Sequence, residues 1–164
     1  MEISELPDKV ARLALAAQGI ADETIGFFEI KGPGVGDHAS LRFMAALRHV
    51  ARELFGDACK AEHRVCKGVN FAVDFYFPEE TVVVEIALGL DKPISEYERD
   101  IFKCLLAQHH GCPVKKLLFI TKPGALKKNS APGPLAIQAF VKDKFELEVE
   151  ILGLHPAAEG KLLE

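Results

Sequence analysis

The chain has 164 residues, of which 49% are hydrophobic and 27% charged, with a formal net charge of -4. These values fit one domain with a core of ordinary size and exclude a low-complexity chain. The segment Leu6 to Ala17 is apolar but interrupted by Asp8, Lys9 and Arg12, so neither a signal peptide nor a membrane span is expected. Four cysteines at irregular spacings do not form a secreted disulfide framework, which makes a reducing, cytoplasmic location the expectation.

In chain order, Leu6, Val10, Leu13, Ala14 and Ala17 recur at helical spacing and predict a helix over 6–18. Thr24 to Ile30 reads as a short strand or extended segment, and Lys31 to Asp37, rich in glycine, as a loop. A second helix is predicted over His38–Phe55, with Leu41, Met44, Leu47, Ala51, Leu54 and Phe55 on one side and Gly56-Asp57 as its stop. Cys59 to Cys66 is a candidate strand. Val69 to Phe77 and Thr81 to Leu88 are two more, joined at Pro78-Glu79-Glu80. A helix follows from Ser95 to about His109, ended by Gly111-Cys112-Pro113. Val114 to Thr121 is apolar without alternation, which predicts a strand buried on both faces. Pro123 to Gly133 reads as a lysine-rich loop and Pro134 to Lys142 as a helix. Phe145 to Leu152 alternates and reads as a half-exposed or edge strand.

The predicted order is thus helix, strand, helix, three strands, helix, strand, helix, strand. A meander leading into a crossover helix and a parallel partner predicts an α/β fold, a mixed central β-sheet flanked by helices on both faces. The expected organisation is a single domain over 1–164. Its core spans about 39–152, a helical extension covers 1–20, and a loose tail covers 153–164.

Two charged residues interrupt otherwise β-branched and aromatic runs: Asp74 in the fifth candidate element and Glu85 in the sixth, with ten residues between them. A lone charge in such a run is costly to bury and normally has a partner or a metal. The pair is placed to meet at one end of a hairpin. The competing reading makes them outward-facing strand residues or ion-pair partners of Arg64 and Arg99.

The charges are also divided along the chain. Asn70 to Asp100 carries eight acids and two bases, whereas Ile101 to Lys142 carries seven lysines and no acid. A mildly acidic chain can therefore present one basic face, although such clustering also arises on an ordinary solvated surface.

This layout resembles the PD-(D/E)XK, or restriction-endonuclease-like, nuclease superfamily. That family carries an acid on one strand, Glu or Asp followed by any residue and Lys on the next, and often a further Glu on the first core helix. Here Val73-Asp74 and Glu85-Ile86-Ala87 stand at those positions, with Glu53 as the further acid. Val73 replaces the proline, and Ala87 replaces the lysine. The resemblance implies a restriction-endonuclease-like core and a metal-dependent nuclease acting on DNA. Mg²⁺ or Mn²⁺ would be held by Asp74, Glu85 and the backbone carbonyl of Ile86, since hard cations take oxygen ligands. The absent lysine would be supplied by Lys92 or Lys103. On a helical wheel Lys103 falls opposite Ile101 and Leu105, which predicts that it faces away from the sheet. Lys122, Lys127 and Lys128 are candidate contacts to the DNA backbone. The short chain fits a structure-specific or repair-type nuclease, and a homodimer is the assembly the family suggests.

The alternative is a non-catalytic nucleic-acid or protein interaction module of the same fold, favoured by Ala87. Weaker patterns are a glycine loop, Gly32-x-Gly34-x-Gly36, which would imply nucleotide binding, and the Cys59/His63/Cys66 and His109/His110/Cys112 groups, which invite zinc but contain no CxxC pair. Glu98 falls within the apolar arc of its predicted helix and is a further acid of interest.

Overall fold

A computed structural model of the chain describes residues 3–29, 38–66, 68–90 and 95–156. After a 3₁₀ turn at Ile3–Glu5 come α1 (Asp8–Glu23), α2 (His38–Phe55), β1 (Lys60–Arg64), β2 (Ala72–Phe77), β3 (Val82–Ile86), α3 (Ser95–His109), β4 (Lys116–Thr121), α4 (Ala125–Asn129), α5 (Pro132–Phe145) and β5 (Glu148–Gly153). The five strands form one sheet in sequential order. β1, β2 and β3 pair antiparallel; β3–β4 and β4–β5 are parallel. This is the expected α/β mixed sheet, and β5 is an edge strand, as its alternation predicts.

Strand alternation divides the sheet into two buried faces. Phe75, Phe77, Val82, Val84, Leu118 and Ile120 pack against Val10, Leu13 and Ala17 of α1 and Phe43, Leu47 and Ala51 of α2. On the opposite face Tyr76, Val83, Ala87, Leu117 and Phe119 meet Tyr97, Ile101 and Cys104 of α3 and Val141 of α5. β3 and β4 are covered on both faces, which is why their sequences run apolar without alternation.

Three expectations are corrected. Thr24 to Glu29 is a turn, with Gly26 at φ +77°, and not a strand. Its apolar content is explained by Phe27, which is fully buried and packs its ring on Phe28 and Phe43. The expected loop 123–133 contains α4, which starts after Gly124 at φ +95° and is held by the Asn129 side chain. That amide donates to the carbonyls of Ala125 (2.8 Å) and Leu90 (3.3 Å). The C-terminal segment stays packed beyond Gly153: Leu154 is fully buried and donates its N–H to the Thr121 carbonyl, and His155 exchanges hydrogen bonds with Gln18.

The N-terminal helix is integral to the core and not an appendage. The Glu80 carboxylate, from the β2–β3 turn, accepts the first-turn N–H of Lys9 at 3.0 Å, and the Lys9 ammonium pairs with Glu79. A helix start needs such external acceptors for its unsatisfied N–H groups.

Candidate functional site

The β2–β3 backbone ladder ends at Phe75 opposite Val84. One residue further, Asp74 faces Glu85, and there side chains take over the cross-strand bonding. The Asp74 carboxylate accepts the Ile86 N–H at 2.9 Å, and the Asp74 N–H donates to the Glu85 carboxylate at 3.4 Å. Each acid thus caps the other's strand where the two strands separate. A residue in an antiparallel strand directs its N–H and C=O to the same neighbour. The Ile86 carbonyl therefore faces β2, on the side of the two carboxylates.

Glu85 is 4% exposed and shares its face with Val83 and Ala87, the face covered by α3. From α3 the Lys103 ammonium reaches Glu85 Oε1 at 3.1 Å and Asp100 Oδ1 at 2.8 Å. Lys103 therefore points into the site, contrary to the sequence reading. The buried stripe of α3 runs through Tyr97, Asp100, Ile101, Cys104 and Ala107. Leu105 lies on its far flank and Lys103 on the near one, where a four-carbon stem can carry the charge inward. Ile101 and Leu105 therefore mark one edge of the stripe and not its centre.

Asp100 is 2% exposed and is a member of the site that the sequence reading missed. Its spacing to Lys103, three residues on one helix, was the available signal. Arg99 Nε approaches Asp100 at 3.4 Å and its guanidinium approaches Glu96 at 3.6 Å. Glu96 is half-buried, whereas Glu98 is exposed, so the odd acid of the helix is Glu96 and not Glu98. On the opposite flank the Arg48 guanidinium of α2 lies 3.1 Å from Glu62 and 4.0 Å from Asp74. The β1–β2 register sets Glu62 across from Asp74, and Glu62 adopts φ +48° in mid-strand. The partners of the two central acids are thus Lys103 and Arg48, not Arg64 and Arg99.

Electrostatics follow from this crowding. Burial, then Asp100 and Asp74, push the Glu85 carboxyl up to about 9 against the pull of Lys103. Burial and Asp100 also raise Glu96. Burial opposes the charge of Lys103, yet Glu85 and Asp100 outweigh it and raise the ammonium above its ordinary value. Glu85 is the group that holds a proton in this cluster, because it is buried with the like charges of Asp100 and Asp74 beside it.

Of the remaining sequence candidates, Glu53 is exposed on the last turn of α2, where Arg48 and not Glu53 reaches Asp74. Lys92 and the glycine loop 32–36 lie outside the described residues. Lys122 follows β4 directly and sits over the Phe27 ring at 4.8 Å, while Lys127 and Lys128 are exposed on α4. Because β3 and β4 are parallel, with Ile86 beside Ile120, these lysines emerge at the same end of the sheet as Asp74 and Glu85. Ligands of open α/β sheets bind at that carboxyl end. Two depressions of the surface lie at the opposite end, both bordered by Lys115 and Glu146. Of the zinc candidates, His63 Nε2 and Cys112 Sγ come within 3.8 Å. Among the described residues, no group of three or more His, Cys, Asp or Glu is arranged to hold a metal ion.

No protein-family model, curated protein or solved structure matches the chain.

Proposed function

We propose that the protein is a metal-dependent phosphodiesterase acting on DNA, with a restriction-endonuclease-like core. The observation that carries this reading is the pairing of Asp74 and Glu85 across opened strands, with the Lys103 ammonium 3.1 Å from Glu85. The order of α2, three meander strands, α3 and a parallel β4 supports it.

The donor set suits a hard divalent cation: two carboxylates on neighbouring strands with the Ile86 backbone beside Asp74, in a cluster with an excess of acids. Asp74, Glu85 and Ile86 are the residues that would hold it. Bound Mg²⁺ or Mn²⁺ would supply charge relief on the scissile phosphate and a more acidic water. The protein's own part is then clear. Glu85 gives up its proton when the site takes a cation, and the Lys103 ammonium, held by Asp100, is the fixed positive charge beside the attacked phosphate. Lys103 fills the role left open by Ala87. The exposed lysines of α4 would track the DNA backbone, and a homodimer would allow both strands of a duplex to be cut.

One observation favours a second reading, a non-catalytic module. Lys103 already bridges Glu85 and Asp100, so the cluster is partly neutralised without metal. Cleavage of single-stranded, duplex and branched DNA with Mg²⁺ or Mn²⁺ separates the two. A nuclease loses cutting in Asp74→Ala and Glu85→Ala while both remain folded. A module binds DNA, cuts none of the substrates and takes up no Mn²⁺.

A further inference from the structure

Immediately beside Lys103, α3 exposes a large aromatic side chain. Phe102 is 53% exposed, and its ring meets that of Phe71 edge-to-face, with centroids 6.2 Å apart. Phe71 is only half-buried and lies one residue before β2 and three before Asp74. The aromatic pair therefore spans the two elements that deliver Asp74 and Lys103. Arg99, one turn before Phe102, adds a half-exposed guanidinium on the same side of α3.

A single exposed phenylalanine needs no explanation. An aromatic pair at the rim of an acid and lysine cluster, flanked by an arginine, has the composition of a base-stacking platform. Stacking on aromatic rings, helped by a guanidinium, is how proteins hold unpaired nucleotides. A base inside an intact duplex presents no free face to such a ring.

We infer that Phe102, backed by Phe71 and flanked by Arg99, stacks on an unpaired base of a DNA strand and so selects single-stranded or locally unpaired DNA at the Asp74–Glu85–Lys103 site. This inference rests on the nuclease reading above, and it names the substrate that reading leaves open. The phosphate next to the stacked base would be delivered toward Lys103, one residue along the helix. Duplex DNA would reach the lysines of α4 but not the aromatic pair.

The chain contains no tryptophan, so Phe102→Trp introduces a single reporter at the platform. Binding is measured without divalent cation, in EDTA, against one oligonucleotide in single-stranded form and as a blunt duplex. The expected results are that single-stranded DNA quenches the Phe102→Trp emission, and that Phe102→Ala weakens single-strand binding on the order of tenfold while duplex binding is unchanged. Phe102 is half-exposed, so the alanine variant should fold, and circular dichroism checks it. Equal single-strand affinity in wild type and Phe102→Ala overturns the inference, as does an equal loss on duplex. Failure of the nuclease reading looks different. A protein that stacks single strands in EDTA but never cuts with Mn²⁺ retains the platform and loses the catalytic assignment. One that cuts single-stranded DNA equally well with and without Phe102 retains the catalysis and loses the platform.

Discussion

Asp74 and Glu85 bond to each other's backbone: Ile86 N–H donates to the Asp74 carboxylate at 2.9 Å and Asp74 N–H to the Glu85 carboxylate at 3.4 Å. The acids thereby do structural work at the point where the β2–β3 ladder stops. Removing either leaves a backbone N–H without its partner, which costs roughly 1–3 kcal/mol when buried. Alanine variants at these positions therefore combine a chemical and a structural loss. Asp74→Asn retains an acceptor for Ile86 and isolates the chemical one. It is expected to keep a near wild-type melting temperature and to lose Mn²⁺-dependent cleavage, measured on the same preparation.

Lys103 is the partner whose removal is most costly. Its ammonium compensates two acids that are each less than a tenth exposed, and breaking a buried pair from one side costs roughly 3 kcal/mol. Lys103→Met keeps the length and apolar stem but removes the charge. The expected outcome is a loss of stability of similar size at pH 5 and pH 8, because Glu85 holds its proton at both and Asp100 is the acid left without its ammonium. Cleavage should fall by about two orders of magnitude or more, as for loss of a positioned charge or proton-transfer group. Denaturant titrations at the two pH values and single-turnover cleavage check the two parts.

Much of this site was legible in the sequence, and the reason is local. A carboxylate in a run such as Val82-Val83-Val84-Glu85 conflicts with its surroundings, and the conflict is visible without a structure. The bounds of α2 and α3 were equally legible from period and stops, and the mixed character of the sheet followed from a meander plus a crossover to a parallel strand. What the sequence did not reveal depends on how elements are set against each other. Asp100 and Glu96 read as ordinary helix acids until α3 is docked on the sheet. Arg48 belongs to a helix on the other side of the sheet, and it approaches Asp74 beside Glu62, which stands across from Asp74 on β1. The Thr24 to Glu29 segment has the composition of a strand, yet it buries Phe27 between helices with no strand to pair. Ala87 has a packing reason as well: it is 1% exposed beneath α3, so a lysine side chain there has no room.

The proton on Glu85 makes stability depend on pH in a definite sense. Its carboxyl is raised from 4.5 to about 9 in the folded protein. The folded state therefore holds a proton that the unfolded chain releases, and stability falls as pH rises from about 4.5 to about 9. Glu85→Gln keeps the shape and removes the titration. Its melting temperature, compared with wild type, should rise progressively across that window and level off above it. Parallel curves for the two proteins would remove the assignment of the proton to Glu85.

The same proton ties metal binding to pH. Glu85 must be ionised to act as a ligand, so a cation has to displace the proton it holds. Mn²⁺ affinity should therefore rise about tenfold per pH unit below 9 and become flatter above it. Each ion bound at pH 7 should release close to one proton. Calorimetric titration in two buffers of different ionisation enthalpy measures that release directly. Glu85→Gln should bind Mn²⁺ weakly and with no proton release, while Lys103→Met, which removes a competing cation from Glu85, should bind it more tightly than wild type. A proton release that survives in Glu85→Gln would move the metal away from the β2–β3 opening.

The lysines of α4 are expected to act through phosphate charge alone. Lys127 and Lys128 are exposed at the sheet end that holds the acid pair, on a helix anchored by Asn129 to the Leu90 carbonyl after β3. Neutralising a phosphate contact lowers affinity for all sequences and reduces the salt slope by about 0.7–0.9 per contact. Lys127→Ala with Lys128→Ala should therefore flatten the plot of log affinity against log salt by between one and two. The effect should be similar for single-stranded and duplex DNA, and the cleavage rate at saturating DNA should be unchanged. Loss confined to one form of DNA, or a fall in the saturated rate, would mean that these lysines touch the reacting strand and not merely its distant backbone. Fluorescence anisotropy between 50 and 300 mM salt spans the range in which a slope of this size is readily resolved.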